Sequence, residues 1–200
     1  MAIYTLFGQP ANPATLAADP TDYTMGVQFS VSAAGTLTAI WFFSAAGAVQ
    51  LPGTIALFAV SGQSLVASQA ASWSGAAGSG WVRAPFTVPP ALAAGTAYKA
   101  CIFDNAGSNF YSATLHYWDT GPGASGVTNG PLSAPNSASS AQGQDTFTVG
   151  AVLAYPATVS NAANYWVDPV VSVAVAVTVQ GQQQASGRTM LRKRLLYADI

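Results

Sequence analysis

The chain has 200 residues, half of them hydrophobic and only 6% charged; six Lys and Arg stand against seven Asp and Glu, for a net charge of −1. A typical soluble domain is about a quarter charged, and this one has no Glu and a single His, His116. That inventory excludes paired-Glu glycosidases, His-rich metal sites, phosphate-clamping Lys/Arg clusters and a wholly basic nucleic-acid-binding body, while the length suits one domain with a sizeable core.

The 19 Gly and 12 Pro are spread through the chain, with Val, Thr, Ser and aromatic residues between them. Such punctuation interrupts helices and builds turns, so the composition reads as all-β. Residues 1–22 form an N-terminal lead-in, Pro/Ala/Asp-rich from residue 9. The first ten residues hold no Lys or Arg and their apolar run breaks at Gly8 and Pro10, so no signal or transit peptide is expected. Strand-like runs follow. Residues 23–32 place Val27, Phe29 and Val31 on one face; residues 36–44 place Leu37, Ala39, Trp41 and Phe43 on one face and Ile40 and Phe42 on the other. Residues 54–60 are apolar on both faces, as in a central sandwich strand, and the series continues through 65–73, 81–88 and 97–104. Turn residues recur at intervals of about ten, the pattern of a sandwich or barrel. Cys101 lies within one of these runs and reads as a small buried hydrophobe.

Residues 119–145 differ: a Gly/Pro/Ser/Asn-rich excursion that is either a functional loop or an ordered Ω-like loop packed on the sandwich. From Tyr165 to Val179 the apolar period is two, predicting a strand pair or one long strand kinked at Pro169. No apolar run approaches the roughly 18 residues of a membrane span. After residue 180 the chain turns polar, and four of its six basic residues fall within 188–200. Residues 1–187 sum to −4 (two basic, six acidic) and 188–200 to +3 (four basic, one acidic). Leu191, Leu195 and Leu196 interleave with Arg188, Arg192, Lys193 and Arg194, which suits an extended or short amphipathic helical arm docking onto an acidic, partly apolar groove.

An ordered set of local patterns runs through the middle of the chain: residues 37–43 (LTAIWFF), Ser79-Gly80-Trp81-Val82 leading to Phe86 and Pro89, residues 94–98 (AGTAY), residues 130–135 (GPLSAP), Tyr155-Pro156 and residues 164–168 (NYWVD). On these the segment 23–171, about three quarters of the chain, resembles a DUF4082-type domain. The resemblance implies an all-β sandwich-like module, found attached to exported bacterial surface and carbohydrate-active proteins, and implies no known activity. In its stand-alone form, with a polar linker and basic tail, the chain is similar to small minor-tail or head-decoration proteins of phages that infect actinobacteria.

Candidate chemistry is sparse. His116 has Asp119 three residues on, but no Ser or Cys elbow adjoins either, so a hydrogen-bonded surface His is expected. Asp104, Asp119, Asp145 and Asp168 match no compact calcium loop, and Asp168 is expected to tie the last strand to a neighbouring loop. Trp41 and Trp81 read as core, whereas Trp118, beside Tyr117 at the mouth of the excursion, is the ring expected to be partly exposed, with loop anchoring as its alternative. Tyr117, Trp118 and Asp119 are therefore the candidate glycan-binding residues, and Arg188, Leu191, Arg192, Lys193, Arg194, Leu195 and Leu196 the candidate partner-docking residues. No metal, cofactor or catalytic set is expected. The sequence reads as one antiparallel, jelly-roll-like β-sandwich over residues 23–180 with a C-terminal arm over 181–200. Its expected function is that of a phage virion accessory protein, made in the host cytoplasm, contacting other virion proteins and copies of itself. The alternative is a module recognising a cell-envelope glycan.

Overall fold

A computed structural model describes residues 1–10, 13–19, 21–105, 109–140 and 143–174. Its strands are β1 (Ala2–Tyr4), β2 (Thr15–Asp19), β3 (Tyr23–Val31), β4 (Gly35–Ser44), β5 (Thr54–Ala59), β6 (Ser64–Ala70), β7 (Gly80–Pro85), β8 (Ala91–Leu92), β9 (Ala97–Asp104), β10 (Asn109–Ala113), β11 (Val127–Asn129), β12 (Leu132–Ala134), β13 (Thr146–Val149) and β14 (Val167–Val173). Among the described residues the sole helical element is a 3₁₀ turn at Ser61–Gln63, and no helix is long and apolar enough to cross a membrane.

One sheet runs β1-β14-β4-β7, with β8 continuing along β4; the other runs β11-β12-β3-β9-β5-β6, with β13 also on β3. Every pairing is antiparallel. Successive strands alternate between the sheets, from β3 to β4, back to β5 and β6, then β7, β9 and finally β14, which gives the sandwich its jelly-roll character. Val27, Phe29 and Val31 bury as the alternation in β3 predicts and meet Leu37, Ile40, Phe42, Val82 and Val167 of the facing sheet in one core cluster. Each such side chain contributes roughly 1.5–3 kcal/mol on burial. The two-sided apolar run of β5 serves two cores. Ile55 and Leu57 face the sandwich, while Ala56 and Phe58 join Cys101 beneath Leu153 and Tyr155.

The even alternation expected of β4 does not hold. Val170 pairs with Ala39 and Val171 with Leu37, so Thr38 is bulged, its hydroxyl donating to the Val170 carbonyl at 3.0 Å. The extra residue reverses the phase: Leu37 faces the core together with Ile40 and Phe42, not with Ala39 and Trp41. Trp41 is only partly buried, a correction to its core reading, because after the bulge it falls on the outer face with Ala39. The irregularity in β14 lies at this bulge and not at Pro169.

The excursion at 119–145 is not one long loop. Asn129-Gly130-Pro131 turns the chain between β11 and β12, which add to the edge of β3. A Cβ at Gly130 (φ +56°) would come within 2.4 Å of the Tyr4 ring, so glycine is required by both conformation and space. Between the stretches of β3 covered by β12 and β13, the side-chain amide of Gln144 takes the place of a strand residue. Its Oε1 accepts from Gln28 N at 3.0 Å and its Nε2 donates to Gln28 O at 2.7 Å, all buried. The lead-in segment contributes two strands: β1 pairs with β14, and β2 pairs with β10 in a separate two-stranded sheet.

Candidate functional site

Residues 114–118 are pinned by backbone bonds to the segment before β14. Thr114 and Asn164 form a β-bridge, His116 N donates to Asn161 O at 2.8 Å, and Trp118 N donates to Ala162 O at 3.1 Å. His116 (φ +58°) turns the chain there. Tyr117 and Trp118 are thereby driven inward: Tyr117 is 8% exposed and Trp118 0%. They pack with Phe7 and Trp166 in a cluster of edge-on and tilted rings, with centroids 4.9–6.0 Å apart. A Cβ on Gly123 would come within 2.5 Å of the Tyr117 ring and 2.7 Å of the Trp118 ring. The expected partial exposure of Trp118 is therefore corrected. Both rings anchor the excursion, and Trp118 offers no face on which a sugar could stack.

Asp119 alone of the three candidate residues is exposed. Its Oδ2 lies 3.1 Å from His116 Nδ1, and that hydrogen bond to His116 holds its carboxyl below the usual range. Among the described residues no hydroxyl or thiol hydrogen-bonds to His116, so the pair has no nucleophile to activate. Cys101 is fully buried, and burial pushes its thiol far up, away from a reactive thiolate. No group of three His, Cys, Asp or Glu among the described residues is placed to hold a metal ion. The candidate docking residues Arg188, Leu191, Arg192, Lys193, Arg194, Leu195 and Leu196 lie outside the described residues.

Asp168 holds the N-terminal segment to the last strand, as its sequence position predicts. Its Oδ1 accepts from Leu6 N at 2.6 Å, and its Oδ2 accepts from Phe7 N at 3.2 Å and Gln9 Nε2 at 3.1 Å. The same segment is fastened further along: Trp81 Nε1 donates to Pro10 O at 2.9 Å, and Thr114 Oγ1 donates to Pro13 O at 2.8 Å while accepting from Trp166 Nε1 at 2.9 Å. A shallow, almost wholly carbon-lined groove of about 300 Å³ runs between Pro10, Pro13, Pro122, Tyr117 and Trp166.

The burial of Lys99 and of Asp145 escaped the sequence reading. Lys99 is fully buried; its Nζ donates to Thr146 Oγ1 and to Pro156 O at 2.9 Å and lies 4.9 Å from the Tyr155 ring centroid. Burial lowers it to about 8. Asp145 accepts from Tyr165 N at 2.8 Å, and its burial raises it to about 7. Its Oδ1 and Trp118 Nε1 are both buried without a hydrogen-bond partner of ordinary geometry, although the indole N–H acts on the carboxyl and lowers its proton affinity. Burial likewise raises Asp168 to about 7, against the pull of its three donors.

These shifts set the sign of the pH dependence. Asp145 and Asp168 titrate higher folded than unfolded (3.8), so their stabilisation is complete below the unfolded value and is lost as pH rises through about 7. Lys99 acts oppositely at higher pH: its contribution is present above 10.5 and lost as pH falls through about 8. Thermal unfolding at constant ionic strength should therefore show a melting temperature that falls between pH 5 and 7, as the unfolding free energy drops by up to about 1.4 kcal/mol per pH unit for each carboxyl. Asp145→Asn should flatten that slope. A melting temperature that climbs over this interval would contradict the assignment.

A second concavity, about 200 Å³, opens where β3, β10 and β13 meet the segment before β14. It is lined by Tyr23, Met25, Tyr111, Phe147, Ser160 and Tyr165. The four rings form a square of mostly edge-to-face neighbours, with centroids 5.7–6.3 Å apart. At its rim Tyr23 donates its hydroxyl to Asp19 Oδ2 at 3.0 Å. Bonds from Thr21 hold the Asp19 carboxyl below the usual range, so it is ionised at neutral pH. The lining residues are scattered along the chain from 23 to 165, and no local motif marks them.

No curated protein matches the chain. A family described as a domain of unknown function, DUF4082, matches residues 9–167. That span takes in the lead-in strand β2, every strand from β3 to β13, the aromatic cluster apart from Phe7, and the tyrosine cleft. The chain belongs to the DUF4082 family.

Proposed function

We propose that this chain is a structural accessory protein of a phage particle, of decoration or minor-tail type, that displays its β-sandwich and attaches through residues 181–200. The observation that supports this most is charge distribution. Residues 23–82, which supply β3 to β6 and the start of β7, contain no Asp, Glu, Lys or Arg. Neighbouring subunits can pack against such a surface with little charge to desolvate. Leu65 and Val66 are exposed on it. The basic, leucine-bearing arm follows the last strand and reverses the sign of the charge. Its partners are other virion proteins and copies of this chain; the role is not enzymatic.

Deleting residues 181–200 should leave a folded, soluble sandwich that no longer joins its particle or oligomer. Replacing Leu191, Leu195 and Leu196 with Ser should do nearly the same, because a buried Leu contributes roughly 1.5–3 kcal/mol. Neutralising Arg192, Lys193 and Arg194 should do less, since an exposed ion pair contributes about 0–1 kcal/mol. Circular dichroism checks folding, and sedimentation with particles reads attachment. Full attachment of the truncated chain would contradict the assignment. The second reading, a module for a cell-envelope glycan, is favoured by the tyrosine cleft and not by Tyr117, Trp118 and Asp119.

A further inference from the structure

We infer that the cleft lined by Tyr23, Met25, Tyr111, Phe147, Ser160 and Tyr165 is a binding site for a neutral sugar ring. It deepens the glycan reading and is independent of attachment through residues 181–200. The argument begins with the lining: four aromatic rings stand around a space of about 200 Å³, interspersed with the hydroxyls of Tyr23, Tyr111, Ser160 and Tyr165. Rings and hydroxyls in one small concavity suit a ligand with apolar C–H faces and a fringe of hydroxyl groups, which describes a pyranose. The hydroxyls of Tyr111 and Tyr165 form no hydrogen bond with another described residue, so they are available to a ligand. The Tyr23 hydroxyl is oriented by Asp19, which leaves its oxygen free to accept.

Charge narrows the class. None of the six lining residues is Lys or Arg, and the carboxylate at the rim is ionised. Phosphorylated sugars, uronic acids and sialic acids would bring an anion towards Asp19 with no cation to receive it. Lipid tails are disfavoured by the hydroxyl fringe, each member of which would lose water without gaining a partner. The edge-to-face packing of the rings, closed by β3, β10, β13 and the Tyr165 backbone bond to Asp145, keeps the site preformed.

The chain has three methionines, Met1, Met25 and Met190, of which Met25 lines the cleft. Methyl-labelled methionine in the full chain therefore gives a three-signal spectrum with one reporter in the site, assigned by Met25→Leu. Methyl glycosides of glucose, galactose, mannose and N-acetylglucosamine are titrated to tens of millimolar. At least one should shift the Met25 signal saturably and leave Met1 and Met190 in place, and glucuronate should bind more weakly than methyl glucoside. Tyr111→Phe, which keeps the ring, should weaken binding roughly fivefold, the equivalent of one neutral hydrogen bond of about 1 kcal/mol. Tyr111→Ala should abolish it. No saturable shift with any of the four glycosides, equal or tighter binding of glucuronate, or unchanged affinity in Tyr111→Phe would overturn the proposal. Attachment of the same chain to its particle reads the virion role separately.

Discussion

Trp166→Ala is expected to lower the unfolding free energy by about 3–5 kcal/mol, the usual cost of emptying a buried tryptophan site, and to leave little soluble protein. Trp166 is only 4% exposed. Its ring meets Phe7 at 5.3 Å, Tyr117 at 5.2 Å and Trp81 at 6.2 Å, and its indole N–H donates to Thr114 at 2.9 Å. The loss reaches across three segments, because the same ring supports the lead-in, the 114–118 turn and β7. Its backbone is left-handed (φ +55°), with the amide donating to Asn164 Oδ1 at 2.8 Å. Ala gains no conformational relief there, so the whole packing loss should appear in chemical denaturation. Unchanged stability would place the ring at the surface.

Asp168→Ala is expected to cost roughly 3 kcal/mol. It removes the acceptor of three hydrogen bonds at once and leaves the amides of Leu6 and Phe7 with none. A buried donor left unpaired costs about 1–3 kcal/mol. The Gln9 amide can turn to water, which limits its share. Asp168→Asn keeps one acceptor oxygen and should recover part of the loss. Hydrogen exchange at Leu6 and Phe7 reads the effect locally: both amides should exchange faster in Asp168→Ala, and protection equal to that of the parent would contradict the role.

The strand series and the tie through Asp168 were legible because each depends on local pattern. Val27, Phe29 and Val31 bury as their spacing predicts, and Asp168 sits in a motif whose neighbours are turn residues. The orientation of β4 was not legible, since a single bulged residue, Thr38, carries no sequence mark and brings Ile40 and Phe42, in place of Ala39 and Trp41, into the core with Leu37. The same limit applies at Trp166. Strict alternation puts Tyr165 and Val167 opposite it, whereas the left-handed residue lets all three be buried in the same core cluster. The hairpin at Asn129-Gly130 did carry a mark, the Asn-Gly pair, obscured by the Gly/Pro-rich stretch around it. Exposure of Trp118 was misjudged because the ring's lid, Phe7, lies 111 residues away in sequence. Burial of Lys99 follows from a strand face that a distant segment, containing Tyr155 and Pro156, happens to cover. The tyrosine cleft is likewise a product of long-range pairing.

The central claim is that this sandwich belongs to a virion. It is tested most directly by quantitative mass spectrometry of gradient-purified particles released from cells that produce the chain. The chain is expected to co-sediment at a fixed ratio to a capsid or tail protein, and this ratio should survive further purification. A chain confined to the soluble fraction of the lysate, or one whose ratio to the particle drops with each step, would contradict it.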